Sequence, residues 1–335
     1  MNMLKTILNL KKGVLDSKLM INDQLFEKVL IEPIKNGADK LLIVSGFASP
    51  AMVLHHFEEV KRIDKKIEVH LIAGMYIKEG LPKSTHIGFT KLLTEDYSPF
   101  FKCSYIFQNK PVHSKVYVWL KECNPFKCYI GSANYTQNAF FLNNREVLTE
   151  NKPVEGFDYF NSLIDDSIYC NHIDIEKYFV IFDEKKYPNL SKRRTDIIQN
   201  EESGLPSLKI SLLTSREEIG IHSGLNWGQR EGRNQNQAYI PLKKDVYQTD
   251  FFPPRKIHFT VRTDDDKILI CSRAQDSGKA IHTPHNNSLL GEYFRYRLNL
   301  ANGQFVEKED LVRYGRTDVD FYKIDDENYY MDFSV

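Results

Sequence analysis

The chain has 335 residues, 41% of them hydrophobic and 27% charged, with 45 basic residues balanced by 45 acidic ones. That is ample apolar material for two soluble domains, and it excludes a disordered or collagen-like chain. Zero net charge excludes any argument for nucleic-acid binding from bulk charge and moves that question to local surfaces.

The N-terminus, MNMLKTILNLKK, carries Lys5 inside its apolar stretch and lacks a signal-peptide plan. No window approaches the eighteen or so uninterrupted apolar residues of a membrane span, so a cytoplasmic protein without membrane partners is expected. Five cysteines (Cys103, Cys123, Cys128, Cys170, Cys271) are odd in number and scattered, which fits reduced thiols rather than a disulfide framework. No Cys or His set stands at zinc-ligand spacing, and neither a metal nor another cofactor is expected.

Asn22 is placed to cap a helix running to about Lys35, and KLLIVSGF over 40–47 is a short apolar run typical of a buried strand. The loop Ser45-Gly46-Phe47-Ala48-Ser49 leaves that strand for a helix over 50–62, and small residues there suit either a phosphate or a tight connection. A buried strand over 67–73, a helix over 84–95 and a strand over 102–108 follow. Alternating strands and helices predict a layered α/β domain. Beyond it come a helix over 157–169 and a strand over 173–182.

Between these lies PVHSKVYVWLKECNPFKCYIGSANYTQNAF, residues 111–140. Val112, Val116 and Val118 alternate with His113, Lys115, Tyr117 and Trp119, which predicts a strand with one aliphatic face and His113 and Lys115 together on the other. An imidazole beside an ammonium suits an anionic ligand. An imidazole can also attack phosphorus while Lys and Asn hold the non-bridging oxygens. A second strand over 127–132 leads into Gly131-Ser132-Ala133-Asn134. Either triplet alone is an ordinary turn or a structural histidine; their order and spacing point to phosphodiester chemistry.

His113, Lys115, Gly131, Ser132 and Asn134 resemble the phospholipase D superfamily, whose pattern runs H-x-K, an Asp, then G-[GS]-x-N. Leu120 fills the Asp position, a departure. Glu146 stands where that superfamily often carries an acid that orients the nucleophilic His. The resemblance implies His113 as nucleophile, Lys115, Asn134 and Ser132 as stabilisers of the phosphoryl charge, and Glu146 as orienter. The superfamily's chemistry uses two H-x-K motifs. This chain has one, so the resemblance implies a homodimer with the site built across a two-fold axis, and no requirement for metal.

Residues 183–206, DEKKYPNLSKRRTDIIQNEESGLP, are polar, with a Lys192-Arg193-Arg194 cluster, and read as a linker between domains 1–182 and 207–335. Beyond it, SLKISLL, AYIPL, KIHFTVRT, KILICSR, GEYFRYRLNL and YYMDFSV read as short strands of an all-β barrel or sandwich. Two polar insertions interrupt them, residues 222–237 and 272–288. Arg reads guanine, Asn or Gln reads adenine, and acids read cytosine. The candidates are therefore Asn226, Trp227, Gln229, Arg230, Arg233 and Asn234 in the first insertion, and Arg273, Gln275, Asp276 and Lys279 in the second. Basic residues outnumber acidic ones over 205–300, whereas the segment from 301 onward is acidic and unsuited to a phosphate backbone. The bland alternative is two solvated loops.

The two-part layout looks like the NgoFVII-type restriction endonucleases: a phospholipase D-like layered α/β domain followed by an all-β, B3-like pseudobarrel that grips double-stranded DNA with two arms. It implies a sequence-specific, metal-independent endonuclease that passes through a phosphohistidine. Some members of that family are thought to work with a separate ATP-hydrolysing, helicase-like protein, and no Walker loop is present in this chain. The alternatives are a phosphodiesterase acting on lipid or another small diester, and a DNA-binding protein that does not cut.

Overall fold

The computed structural model describes residues 20–21, 25–142, 144–187 and 204–335. Asn22, the Lys192-Arg193-Arg194 cluster and most of the predicted linker lie outside them. The chain divides into two compact units, one made of Met1–Ala48, Val60–Tyr76 and Pro99–His172, the other of Ser49–Glu59, Ile77–Ser98 and Ile173–Val335. Among the described residues no helix is long and apolar enough to cross a membrane.

The first unit is built on an eight-stranded mixed sheet. Its strands are β1 (Met20–Ile21), β2 (Lys40–Ser45), β3 (Glu68–Ala73), β4 (Phe101–Ile106), β5 (Val116–Lys121), β6 (Asn124–Gly131), β7 (Val147–Asn151) and β8 (Ser167–Tyr169). The order is β1-β7-β6-β5-β2-β3-β4-β8, with β2, β3 and β4 parallel and β5 antiparallel to β2. The apolar runs expected to be buried strands occupy the centre of this sheet, where both faces are covered. On one face Leu42, Val44, Ile72, Val116, Val118 and Leu120 form a cluster with Phe160 and Leu163. Each such side chain contributes about 1.5–3 kcal/mol on burial.

Phe160 belongs to a helix over Pro153–Ser162, shorter than the 157–169 expected, because Ser167–Tyr169 pairs with β4 instead. Gly156 lets this helix lie directly on the sheet: a Cβ there would stand 2.5 Å from Cys128 Sγ. On the opposite face Trp119 donates from Nε1 to Val29 O at 2.7 Å, and Tyr117 donates to Ala133 O at 2.8 Å. Both aromatic rings are buried, each with its polar atom satisfied. The first helix begins as a π-turn over Phe26–Ile31 and becomes regular over Glu32–Lys35.

Leu120, at the position where the superfamily pattern has Asp, is 5% exposed and part of the aliphatic cluster. The strand slips register between Trp119 and Leu120. A carboxylate there would be surrounded by hydrocarbon, so the side chain at 120 belongs to the core of this protein.

The second unit is sheet-rich and barrel-like, with β9 (Ser207–Ser211), β10 (Ile240–Pro241), β11 (His258–Thr263), β12 (Ile268–Ala274), β13 (Ala280–His282), β14 (Asp318–Lys323) and β15 (Asn328–Asp332) in the order β9-β14-β15-β11-β12-β13-β10. Its core gathers Phe252, Phe259, Phe294, Phe321, Tyr329 and Phe333.

The segment read as a strand, GEYFRYRLNL, is instead a helix over Leu289–Arg297. Leu290, Tyr293, Phe294 and Leu298 are buried at helical spacing while Tyr296 is exposed, so the period of 3.6 wins over alternation. A helix over Lys308–Tyr314, closed by a capping box and by Gly315 in the left-handed region, was not anticipated, nor was β14. The expected strand over 173–182 is a single helical turn, Ile175–Tyr178, followed by Ile181–Phe182, which pairs with Leu81–Pro82. Directly beyond, Asp183 pairs with Arg262 at 2.5 Å and Lys185 with Asp332 at 3.2 Å, so the start of the predicted linker is fastened within this unit.

Candidate active site

Three short segments meet at the C-terminal end of β2 in the first unit. Residues 111–115 precede β5 rather than forming part of it. Pro111 has no N–H to give a ladder, and Val112 N donates to Gly74 O at 3.0 Å, which draws this stretch toward the end of β3. His113 and Lys115 nevertheless converge as expected. Lys115 Nζ lies 3.2 Å from His113 Nε2 and donates to His113 O at 2.6 Å. An ammonium can only donate, so Nε2 accepts, carries the lone pair, and leaves the ring proton on Nδ1. Lys115 is buried whereas His113 is exposed. The arrangement pairs an exposed imidazole with a buried cation held against its Nε2.

The turn after β6 supplies the second segment. Gly131 N donates to Lys115 O at 3.3 Å, and Gly131 is needed for close approach, because a Cβ there would stand 2.1 Å from Val147 O. Ser132 Oγ donates to Glu146 Oε2 and accepts from Val147 N at 3.1 Å. Glu146 is thereby held beside the turn. Asn134 is half-buried, with Oδ1 accepting from Phe47 N at 3.2 Å.

The third segment is the end of β2. Ser45, considered from the sequence as a phosphate contact, is fully buried; its Oγ donates to Phe47 O at 2.5 Å and accepts from Tyr135 N at 3.0 Å. Gly46 lies against the imidazole, since a Cβ on it would stand 2.9 Å from His113 Cδ2. Sequence reasoning marked the loop as a whole, yet assigned no role to Gly46 or to the Phe47 amide. The available signal was a Ser-Gly pair at the end of a fully apolar strand. Among the described residues no group of three or more His, Cys, Asp or Glu is gathered to hold a metal ion.

The candidate DNA-reading residues divide sharply in the second unit. Asn226 is fully buried, donates to Val306 O at 2.8 Å and accepts from Val306 N at 2.9 Å. Gln229 donates to Gly303 O at 2.9 Å and to Gln235 O. Arg273 spans Gly278 O, Ser277 O and Tyr247 O, and burial draws its pKa down. These three brace the insertions, which are folded rather than loose. Asn226 and half-buried Arg273, expected to read bases, make these hydrogen bonds to main-chain partners.

Arg230, Arg233, Asn234, Gln275, Asp276 and Lys279 are exposed. Arg230 Nε donates to His222 O at 2.8 Å. Arg233 stacks its guanidinium 4.2 Å over the Trp227 ring and donates to Gln237 Oε1 at 3.0 Å, so its planar fork is ordered in advance. Trp227 thus acts as a platform, itself edge-on to Tyr239. Asn234 Oδ1 accepts from Asn236 N, Gln275 sits at φ 63°, and Lys279 lies 5.9 Å over Tyr247.

Two family models match the chain in order: the NgoFVII restriction endonuclease N-terminal PLD domain over residues 23–177, and the NgoFVII C-terminal B3-like DNA-binding domain over residues 200–325. Solved structures similar to the chain include NucT from Helicobacter pylori (16% identity, TM-score 0.33, 46% of this chain and 98% of that one). The phospholipase D family member Nuc from Salmonella typhimurium matches at 12% identity and TM-score 0.33, over 46% of this chain and 98% of that one. Phosphatidylserine synthase from Haemophilus influenzae matches at 15% identity and TM-score 0.34, over 51% of this chain and 40% of that one. No curated protein matches the sequence at a significant level.

Proposed function

Because this chain belongs to the NgoFVII restriction endonuclease family, with its PLD nuclease domain and its B3-like DNA-binding domain in order, we propose that it is a type II restriction endonuclease that cuts DNA through a covalent phosphohistidine at His113. The observation that carries this reading is the exposed imidazole whose Nε2 faces the buried Lys115 ammonium at 3.2 Å. When a DNA phosphate arrives, the ammonium turns to a non-bridging oxygen and releases the Nε2 lone pair. That lone pair attacks phosphorus, and the N–P bond forms as the bond to the leaving deoxyribose oxygen breaks.

Lys115 and Asn134 hold the charge that gathers on the phosphoryl oxygens. Glu146, steadied by Ser132, accepts from Nδ1–H and stabilises the imidazole as it becomes positive. The leaving oxygen needs a proton, and the sequence supplies a single H-x-K motif. His113 of the partner subunit therefore acts as general acid, and then as the base for the water that breaks the N–P bond. With an ammonium, an amide and imidazoles providing the electrostatic work, the reaction proceeds without a metal ion.

In the second unit, Arg230 and Arg233, with Asn234, Gln275, Asp276 and Lys279, form the surface that reads the DNA target. Plasmid DNA incubated in excess EDTA tests the reading. Discrete fragments from the wild type and none from His113→Ala support it; equal cutting by both would remove His113 from the mechanism.

A further inference from the structure

We propose that Ser45, Gly46 and Phe47 form the positioning element of this site: the Phe47 amide sets which end of Asn134 faces the phosphate, and Gly46 sets the resting place of the His113 ring. The inference deepens the phosphodiesterase reading above and rests on it. A carboxamide has one accepting end and one donating end, and only the donating end helps a phosphoryl oxygen. Phe47 N–H donates to Asn134 Oδ1 at 3.2 Å, so the accepting end is turned into the protein and the NH2 is dedicated to the ligand. The reversed amide would set two donors against each other.

Ser45 holds that N–H in place. Its hydroxyl donates to Phe47 O at 2.5 Å and accepts from Tyr135 N at 3.0 Å, tying the end of β2 to the residue after Asn134. The same hydroxyl also lies 3.4 Å from Asn134 Oδ1; being fully buried, it has no route to substrate and acts through these partners. Gly46 adds a steric term. A Cβ on it would meet His113 Cδ2 at 2.9 Å and Asn134 Oδ1 at 3.3 Å, so the imidazole and the amide flank the same Cα. Gly46 is absent from the left-handed region that only glycine tolerates well, so alanine fits its backbone and acts by displacing these two side chains and that of Met75, whose Cγ it would meet at 3.3 Å. The contacts to Asn134 are not local in sequence: 87 residues separate it from Phe47 and 89 from Ser45.

The test is single-turnover cleavage of plasmid DNA by wild type, Ser45→Ala, Gly46→Ala, Asn134→Ala and the Ser45→Ala/Asn134→Ala pair, with DNA affinity measured by gel shift. Misplacing a reacting group by a fraction of an ångström to an ångström costs up to roughly a hundredfold in rate. Ser45→Ala and Gly46→Ala should each lose roughly ten- to a hundredfold in the cleavage rate at saturating protein, with DNA affinity unchanged. Ser45→Ala should add nothing once Asn134 is alanine, which a merely structural role would not produce. Wild-type rates in both single variants, or a Ser45→Ala loss that persists in full on the Asn134→Ala background, would overturn the inference alone. A wild type that cuts no DNA would instead bring down the nuclease reading, and the inference with it.

Discussion

Replacing Asn226 by alanine distinguishes a brace from a base-reading side chain. In the structure its carboxamide satisfies both Val306 N–H and Val306 C=O, at 2.9 and 2.8 Å, with no exposure of its own. Alanine removes both partners at once and leaves two buried main-chain groups without bonds. Each unsatisfied group costs about 1–3 kcal/mol, so the loss is about 2–6 kcal/mol for the pair. For a unit of this size every kcal/mol shifts the melting temperature by about 2–4 °C, which places the expected fall at about 4–24 °C. Scanning calorimetry of the wild type and Asn226→Ala reads it, alongside gel-shift affinity measured well below the lower transition. The reasoning is refuted if the melting temperature is unchanged while DNA affinity drops, for then Asn226 would be contacting DNA and not Val306.

Arg233→Ala should keep the melting temperature within about 1–2 °C of wild type but weaken binding to the target site by about 1–3 kcal/mol, which competition gel shifts would measure; unaltered specificity would remove Arg233 from the reading surface. Leu120→Asp buries a carboxylate among Leu42, Val44, Val116 and Val118 and should cost about 4 kcal/mol or more, seen as a lower urea midpoint; a neutral result would contradict the account of that position. Burial, with Lys102 and Lys40 nearby, holds the His70 imidazole at about 4 against 6.5 in the unfolded chain. The unfolded chain therefore takes up the proton first. The stabilisation from His70 is complete above pH 6.5 and is lost as pH falls toward 4, by up to about 3 kcal/mol. His70→Phe keeps the packing on Phe160 and Tyr169 and should flatten the fall in melting temperature across that window; an unchanged pH profile would count against it.

Much of the first unit was readable because its physics is local. KLLIVS is a short apolar run typical of a strand covered on both faces, and His113, Lys115 and the Gly131–Asn134 turn lie within about twenty residues of one another. What could not be read was long-range. The Phe47–Asn134 hydrogen bond joins segments with no shared pattern, and the Asn226 brace reaches 80 residues to Val306. Within the amide-rich segment 222–237 the partners of Asn226 could not be read, because Asn and Gln bond backbone groups as readily as bases. GEYFRYRLNL misled for a different reason. Its aromatic and apolar residues satisfy both an alternating and a helical reading, and only packing of Tyr293 and Phe294 into the core decides for the helix.

The central claim is that His113 becomes covalently joined to the DNA phosphate. Acid-free denaturation of a cleavage reaction on end-labelled DNA, followed by protein gel electrophoresis, tests this most directly. The account predicts label on the wild-type chain, stable to alkali and released by acid as a phosphohistidine bond should be, and none on His113→Ala. Label retained by His113→Ala, or an adduct that survives acid and is lost in alkali, would contradict it.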